Sequence, residues 1–476
     1  MIKKIIRKIS FIALLYLIFF IASTVVYPKI EINKIVAASD KNLNLENYYS
    51  DALGPDEATV IAGTTDGLSA RVELIENAKS SIDLAYYIID NDTSGDIFLG
   101  KLLEAAERGV KIRIIVNGAS TKWTNNDRYR TVALVSNENI DLKLYGNHNL
   151  LTPWHLNNVL HEKIMIVDNE YFMSSGRNVS DRFILNDQHR MLTYDLDILT
   201  HLTNVENITD SVISQANSHF DELWNSSYSR LTVDIDKISP EQKSSSKDEL
   251  YSKYISAWNV YGSSLNPNII ESLNFYPTNR VSLVTNPTDN IVKTPSCWNT
   301  MTSFMNFSDN IAILQTPYPA ITKEMKSFMD IEHLQSINYE VQTNSVAASP
   351  NIPAFSNYLN KKNAQLDYSN IYEYQGPGSI HAKALIIDDD ISMLGSCNAD
   401  SRSAFLSSEN MVIVNGAEFN IHMNEVLEVF RNSSLKAVGK YEYEASKTVS
   451  EEQIPILKNL IFKIASIITM PFDHLI

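Results

Sequence analysis

His161-Glu162-Lys163-Ile164-Met165-Ile166-Val167-Asp168 and His381-Ala382-Lys383-Ala384-Leu385-Ile386-Ile387-Asp388 are two copies of one skeleton: His, any residue, Lys, four apolar residues, Asp. In each copy an Asn lies ten positions past the Asp, in Ser175-Gly-Arg-Asn178 and in Gly395-Ser-Cys-Asn398. One short motif of this kind carries a real false-positive rate, whereas four matched positions at one spacing, twice in a chain, point to a duplicated unit. The histidines are 220 positions apart. The repeat is therefore a whole lobe and not a solenoid turn, whose period runs about 20 to 50 residues. The continuous apolar run in each copy reads as a strand covered on both faces.

The doubled pattern resembles the phospholipase D superfamily, whose members carry two such motifs and join them into one active site. Ser81-Ile-Asp-Leu-Ala-Tyr-Tyr87, Asp92-Thr-Ser-Gly95 and Leu103-Glu-Ala-Ala-Glu-Arg-Gly-Val110 are similar to the first lobe of bacterial cardiolipin synthases. Asn398-Ala-Asp400-Ser-Arg402-Ser403, running on to Glu409, is similar to the second. The likeness covers roughly residues 45 to 476. It implies an α/β fold of two similar lobes, each a mixed β-sheet flanked by helices, with one shared site at the lobe interface. It also implies phospholipid substrates and a phosphatidyl transfer that yields cardiolipin, with hydrolysis to phosphatidic acid as the alternative. An exported phosphodiesterase or nuclease and a silent lipid-binding protein are further readings; the acidic balance counts against the former and the two complete motifs against the latter.

Breaking a phosphodiester without a metal requires a nucleophile, a proton donor for the leaving alkoxide, and positive charge on the non-bridging oxygens. One imidazole can attack phosphorus while the other protonates the leaving oxygen and later serves as base for the incoming hydroxyl. Each lobe supplies one histidine, so the lobes must pair. Lys163 and Lys383 lie two residues past their histidines, on the same side of an extended backbone, and with Asn178 and Asn398 are expected to hold the phosphate oxygens. Asp168 and Asp388, at an odd offset, point away from the phosphate and are expected to hold the loop. An imidazole nucleophile also needs a carboxylate on its other nitrogen; Asp195 and Glu409, heading equivalent strands, are the candidates, with Asp197 as the alternative to Asp195. The family resemblance makes His161 the nucleophile and His381 the acid, and adds Ser396 and Ser403 as support for the phosphate. Trp154, His155 and Arg177 offer themselves either to a head-group pocket or to loop packing.

The 476 residues are enough for two cores. The formal net charge of −16 disfavours a nucleic-acid partner. Cys297 and Cys397 make neither a disulfide framework nor a zinc cluster. The histidines show no metal-ligand spacing, so no metal or cofactor is expected.

Lys3, Lys4, Arg7 and Lys8 precede an uncharged run, Ile9 to Tyr27, close to the ~20 residues of helix that cross a bilayer. Basic residues before it place the following chain on the extracytoplasmic side. Val36-Ala-Ala38 offers a signal-cleavage pattern, but the apolar run exceeds the roughly 7 to 15 residues of a signal peptide, favouring an uncleaved anchor. The expected organisation is an anchor or signal segment at 1–28, a linker at 29–57, a first lobe at 58–230, an inter-lobe connector at 231–279 and a second lobe at 280–476. Strands are expected at 59–62, 82–89, 111–116, 141–145, 164–167 and 191–200, then 281–285, 311–315, 337–343 and 371–374. Helices are expected at 70–79, 96–108, 128–135, 207–224, 250–258 and 321–334. The apolar stretch from Ile454 to Ile476 is either a last helix packed on the second lobe or an interfacial helix dipping into lipid.

Overall fold

The computed structural model describes residues 2–41, 43–121, 123, 127–146, 151–185 and 192–476. It opens with α1 (Ile2–Ile21), a π-helical turn over Ala22–Val26 and α2 (Tyr27–Ala38). These form one continuous helix from Lys3 to Ala38. Most apolar side chains of α1 are exposed, whereas Ile32 of α2 is only 1% exposed and joins the second lobe's core with Ile35 and Val36. The expected linker therefore begins as packed helix, because Ile32, Ile35 and Val36 share one face at i, i+3, i+4 spacing.

The first lobe carries β1 (Asp56–Ile61), α3 (Thr64–Asn77), β2 (Ser81–Tyr86), α4 (Thr93–Glu107), β3 (Lys111–Asn117), α5 (Arg128–Val135) and β4 (Ile140–Tyr145). Then come β5 (Val159–Leu160), β6 (Lys163–Val167), β7 (Tyr171–Ser175), β8 (Thr193–Tyr194), β9 (Asp197–Leu202), α6 (Val212–Asn225) and β10 (Ser229–Leu231). The strand expected over 191–200 is thus two strands broken at Asp195-Leu196, and Met191 lies outside the described residues. The connector is mostly α7 (Pro240–Tyr261), opened by a Ser239/Gln242 capping box with Pro240 in the first turn. It packs on the first lobe: Tyr254 Oη donates to Glu104 and Lys101 lies 4.0 Å from the Trp258 ring centre. A short strand, β11 (Tyr276–Pro277), then pairs with β1.

The second lobe repeats the plan with β12 (Arg280–Thr285), α8 (Ser296–Asn306), β13 (Ile311–Gln315), α9 (Lys323–Lys326), α10 (Ile331–Ser336), β14 (Asn338–Asn344), α11 (Ile352–Gln365) and β15 (Asn370–Tyr374). It continues with β16 (Ser379–Ile380), β17 (Ala384–Ile387), β18 (Ile391–Gly395), β19 (Ser407–Ser408), β20 (Asn410–Asn415), α12 (Ala417–Arg431), β21 (Ser434–Gly439), β22 (Glu442–Tyr443) and α13 (Ile456–Thr469). The helix expected over 321–334 is split in two around Ser327–Asp330, where Asp330 caps α10 by accepting from His333 N–H. Read from β11, the first sheet runs β11-β1-β9-β7-β6-β2-β3-β4-β10, and the second runs β12-β20-β18-β17-β13-β14-β15-β21-β22. From β1 and β12 onward eight strands correspond in order, and β22 is an extra edge strand of the second sheet. Both sheets are mixed: β2, β3 and β4 are parallel, as are β13, β14 and β15, while the motif strands β6 and β17 run antiparallel to their neighbours.

The motif's four apolar residues are explained by three cores. Ile164, Ile166, Ala384 and Ile386 enter one core shared by both sheets with α6 and α12, while Met165 and Val167 face the first lobe's own core and Leu385 and Ile387 the second's. Alternate residues of a strand point to opposite faces. A strand buried on both faces has no polar position to spare.

Candidate active site

Two short parallel ribbons stitch the lobes together. β5, just before His161, pairs with β19, just before Glu409; β16, just before His381, pairs with β8, just before Asp195. The His161 amide donates to Ser408 O at 3.0 Å and the His381 amide to Tyr194 O at 2.7 Å. The carboxylates are thereby exchanged. His161 Nδ1 lies 2.9 and 3.0 Å from the two Glu409 oxygens, and His381 Nδ1 lies 2.6 Å from Asp195 Oδ2. Each histidine thus has its Nδ1 against a carboxylate of the other lobe, which turns Nε2 toward the chemistry; at His381 the Lys383 Nζ also lies 2.6 Å from Nδ1 and 3.2 Å from Nε2. Asp195 and Glu409 are fully buried, whereas both imidazoles keep 16% side-chain exposure.

Lys163 and Lys383 are buried, and each ammonium donates to the carbonyl of its own motif histidine. Burial, with the other lysine's charge, pulls Lys163 down to about 7, and burial pulls Lys383 down to about 8. Both imidazoles are depressed by burial and then by these ammonium groups, His161 strongly and His381 to about 3. The carboxylates diverge. Burial pushes Glu409 up to about 8, while at Asp195 burial is outweighed by Lys383 and His381, which hold it well below the usual range.

Asp168 and Asp388 sit outside this cluster. Asp168 accepts from the amides of Lys79, Ser80 and Ser81 at 2.7, 2.7 and 2.9 Å, and Asp388 from those of Asp309, Asn310 and Ile311 at 2.8, 2.8 and 2.9 Å. Both adopt left-handed backbone, φ 55° and 46°, which Asp tolerates better than most side chains. Each ties the end of its motif strand to the start of the adjacent one. Asn178 and Asn398 are nearly buried, and their Oδ1 atoms have no hydrogen-bond partner among the described residues. Ser396, expected on the phosphate, donates instead to Glu409 at 2.5 Å and so stands behind His161. Its first-lobe counterpart is Gly176, where a Cβ would come within 2.3 Å of Asp195 Oδ1. The longer acid is matched by a serine and the shorter by a glycine. Among the described residues Asp197 faces no histidine; it pairs with Arg71 and Arg177. Arg177 is taken up there, Trp154 meets Phe19 edge-on and lines an apolar cavity with it, and His155 packs edge-on against Tyr228.

Two further arginines stand at equal offsets, four residues past each Asn. Arg182 lines a cavity of about 380 Å³ together with Tyr318, Asn351 and His381, and Arg402 adds to the field that depresses His161. Each guanidinium acts on the histidine of the opposite lobe. Tyr87 lies 4.8 Å from the His161 ring and Phe183 5.2 Å from the His381 ring, walling both imidazoles. The shared offset from the asparagines was the sequence signal for the arginines.

One departure from two-fold likeness lies inside the motif. Glu162, 0% exposed, meets His219 Nε2 of α6 at 2.7 Å and accepts from Ser408 Oγ. Burial opposes both charges, yet mutual pairing holds Glu162 low and His219 high. The corresponding residue of the second motif is Ala382. Matching Asn225-Ser226-Ser227 at the end of α6 to Asn432-Ser433-Ser434 at the end of α12 sets Val426 against His219. The second lobe fills with Ala382 and Val426 a place that the first fills with an ion pair.

The profile of the family described as "Cardiolipin synthase, PLD-like domain" matches residues 72–224 and 308–430, more than half of the chain. Cardiolipin synthase 1 of Bacillus anthracis is 23% identical over 407 residues, covering 82% of this chain and 70% of its own. Cardiolipin synthase C of Escherichia coli (strain K12) is 30% identical over 154 residues, 30% of this chain and 32% of its own. An uncharacterized protein of Helicobacter pylori (strain ATCC 700392 / 26695) is 26% identical over 398 residues, covering 74% and 75%. The crystal structure of phosphatidylserine synthase from Haemophilus influenzae Rd KW20 superposes with a TM-score of 0.62 at 14% identity, over 91% of this chain and 98% of that one, a likeness of fold. With both motifs inside the matched segments and a phospholipase D-like sheet in each lobe, the chain belongs to the cardiolipin synthase-like family of the phospholipase D superfamily and is a phospholipid-modifying enzyme.

Proposed function

We propose that the chain transfers a phosphatidyl group from one phospholipid to another and so makes cardiolipin. The observation that carries this reading is the pair of imidazoles brought from two lobes, each with Nδ1 on the opposite lobe's carboxylate and each beside a buried lysine. In the first step His161 Nε2 attacks phosphorus while His381 gives its proton to the leaving alkoxide oxygen. In the second, His381 takes the proton of the incoming hydroxyl as its oxygen displaces His161 from phosphorus. Lys163, Lys383, Asn178 and Asn398 carry the non-bridging oxygens. An anionic diester between the lysines offsets the like charge that depresses the imidazoles, so His381 can take up its proton. Asp195, held low beside His381, favours an imidazolium there once the diester is bound, whereas burial disfavours charge on Glu409, which therefore supports an imidazolium at His161 less. That difference supports assigning the nucleophile to His161. The names of the curated relatives support cardiolipin as product. The exposed α1 supports a membrane anchor with both lobes on the extracytoplasmic side.

The test is the lipid made by the purified chain on vesicles of phosphatidylglycerol and phosphatidylethanolamine. A dimeric lipid with four acyl chains supports the transferase. Phosphatidic acid with free head group and no dimeric lipid makes it a hydrolase.

A further inference from the structure

The large exposed apolar side chains concentrate in α1 and in α13 with its tail: Ile456 is 89% exposed, Leu457 68%, Leu460 52%, Ile464 50%, Ile467 70% and Ile468 60%. The opposite face of α13 is firmly seated. Phe462 is fully buried edge-on against Phe355 of α11, and Asn360 Nδ2 donates to Ser466 O at 2.7 Å. The tail then returns to the first helix, where His474 Nε2 donates to Val25 O at 2.8 Å. Nearby, Asn157 Nδ2 of the first lobe donates to Thr24 O at 2.9 Å. Both acceptors lie in the π-helical turn, a helix form whose wider winding commonly marks functional positions. The uncharged run from Ile9 to Tyr27 is about one bilayer thickness long as a helix, and Thr24 and Val25 lie in its last turn. Both lobes therefore grip the helix where it would leave the membrane.

We infer that the outward face of α13 lies in the head-group and acyl boundary on the side where α1 emerges, and that it sets the mouth of the His381 cavity on the lipid surface. Two contacts link the helix to that mouth. Lys458 Nζ donates to Ala347 O at 2.5 Å, and α11, on which α13 packs, begins at the cavity wall with Asn351, Ile352 and Pro353. The occupant is lipid because the face continues from the end of the span; in that layer the exposed isoleucines and leucines are solvated and Lys458 and Lys463 stay at the polar edge. A phospholipid head group then reaches His381 without its acyl chains leaving the bilayer. This assignment rests on reading α1 as a membrane span and His381 as part of the phosphodiester site.

The experiment uses the full chain in vesicles of phosphatidylglycerol and phosphatidylethanolamine, with a nitroxide on Ile464→Cys and, as control, on Ile255→Cys, which is exposed on α7 of the first lobe. The native cysteines are buried. At position 464 collisions with dissolved oxygen should exceed those with a water-soluble nickel chelate, and at 255 the reverse should hold. Equal water exposure at both positions, or spin–spin broadening at 464 that disappears on dilution with unlabelled chain, overturns the inference, the latter by showing a second copy on the face. In the second arm, Leu460→Ser/Ile464→Ser/Ile467→Ser should lower turnover of vesicle lipid by roughly tenfold and leave turnover of a monomeric short-chain phospholipid unchanged. Equal loss on both substrates makes α13 a structural prop and overturns the inference. A parent chain that turns over neither substrate defeats the proposed function while the nitroxide result still decides where α13 lies.

Discussion

The Glu162–His219 pair allows a sharp test of how a duplicated site became unequal. Glu162→Ala leaves a buried imidazole that burial pushes toward neutrality and also strips Ser408 Oγ of its acceptor. His219→Val leaves a fully buried carboxylate whose remaining hydrogen bond among the described residues comes from Ser408 Oγ. Breaking a buried pair from one side costs about 3 to 5 kcal/mol. The double variant Glu162→Ala/His219→Val copies the second lobe's Ala382 and Val426. It removes both charges and leaves mainly a space of a few methylene groups, worth about 1 to 3 kcal/mol. The double variant should therefore be more stable than either single one, with a coupling energy of at least about 3 kcal/mol. Urea unfolding of the detergent-solubilised full chain, followed by near-ultraviolet circular dichroism, measures all four corners of the cycle. A Glu162→Ala cost under about 1 kcal/mol, or a double variant no better than the worse single one, would refute the account of a buried ion pair. Ser408 O receives the His161 amide and Glu409 follows it directly. Activity should consequently stay low in the double variant even where stability returns.

Four further outcomes are expected. Because the ammonium forms of Lys163 and Lys383 are lost as pH rises through about 7 and about 8, kcat/KM should fall on the alkaline side in that window; Lys163→Arg, which keeps its charge, should move the onset from about 7 toward about 8, and an unmoved profile assigns it to another group. Gly176→Ser should displace Asp195 from His381, lowering kcat by roughly 10² to 10⁴ with little change in KM; near-normal kcat contradicts the close approach. Asp168→Ala, which unpairs three amides and places Ala at positive φ, should cost about 2 to 4 kcal/mol in unfolding experiments, with Asp168→Asn intermediate and Asp388 variants parallel. Turnover should survive a strong chelator; loss with recovery on adding a divalent ion would contradict phosphate binding by lysine and asparagine alone.

The duplicated lobes were legible because the motif strands are covered on both faces, which forces an apolar run whose ends alone are polar. The regular helices and the parallel strands around them followed from spacing. Features set by packing between distant segments were not legible. The exchange of Asp195 and Glu409 between lobes depends on two-residue ribbons, β5 with β19 and β8 with β16, too short to show a period. Ser396 could not be separated from the phosphate without seeing Glu409 beside it. The connector's α7 was underestimated because its polar face dominates the composition, although Ser239-Pro240-Glu241-Gln242 carries an N-terminal capping signal. At the C-terminus the helix packs on the second lobe through Phe462, as one of the two readings expected, and leaves Ile464 exposed.

The most direct test of a two-histidine site with unequal roles is rapid-quench trapping of the covalent intermediate from a phosphatidyl-nitrophenyl ester, whose leaving group needs no proton. In the parent enzyme the label should sit on His161. It should accumulate there in His381→Ala, which lacks the base for the second step, and be absent in His161→Ala. Label on His381 in the His161→Ala enzyme, with none on His161 in the converse variant, contradicts the assignment of roles; turnover with no phosphohistidine in any of the three contradicts the covalent mechanism itself.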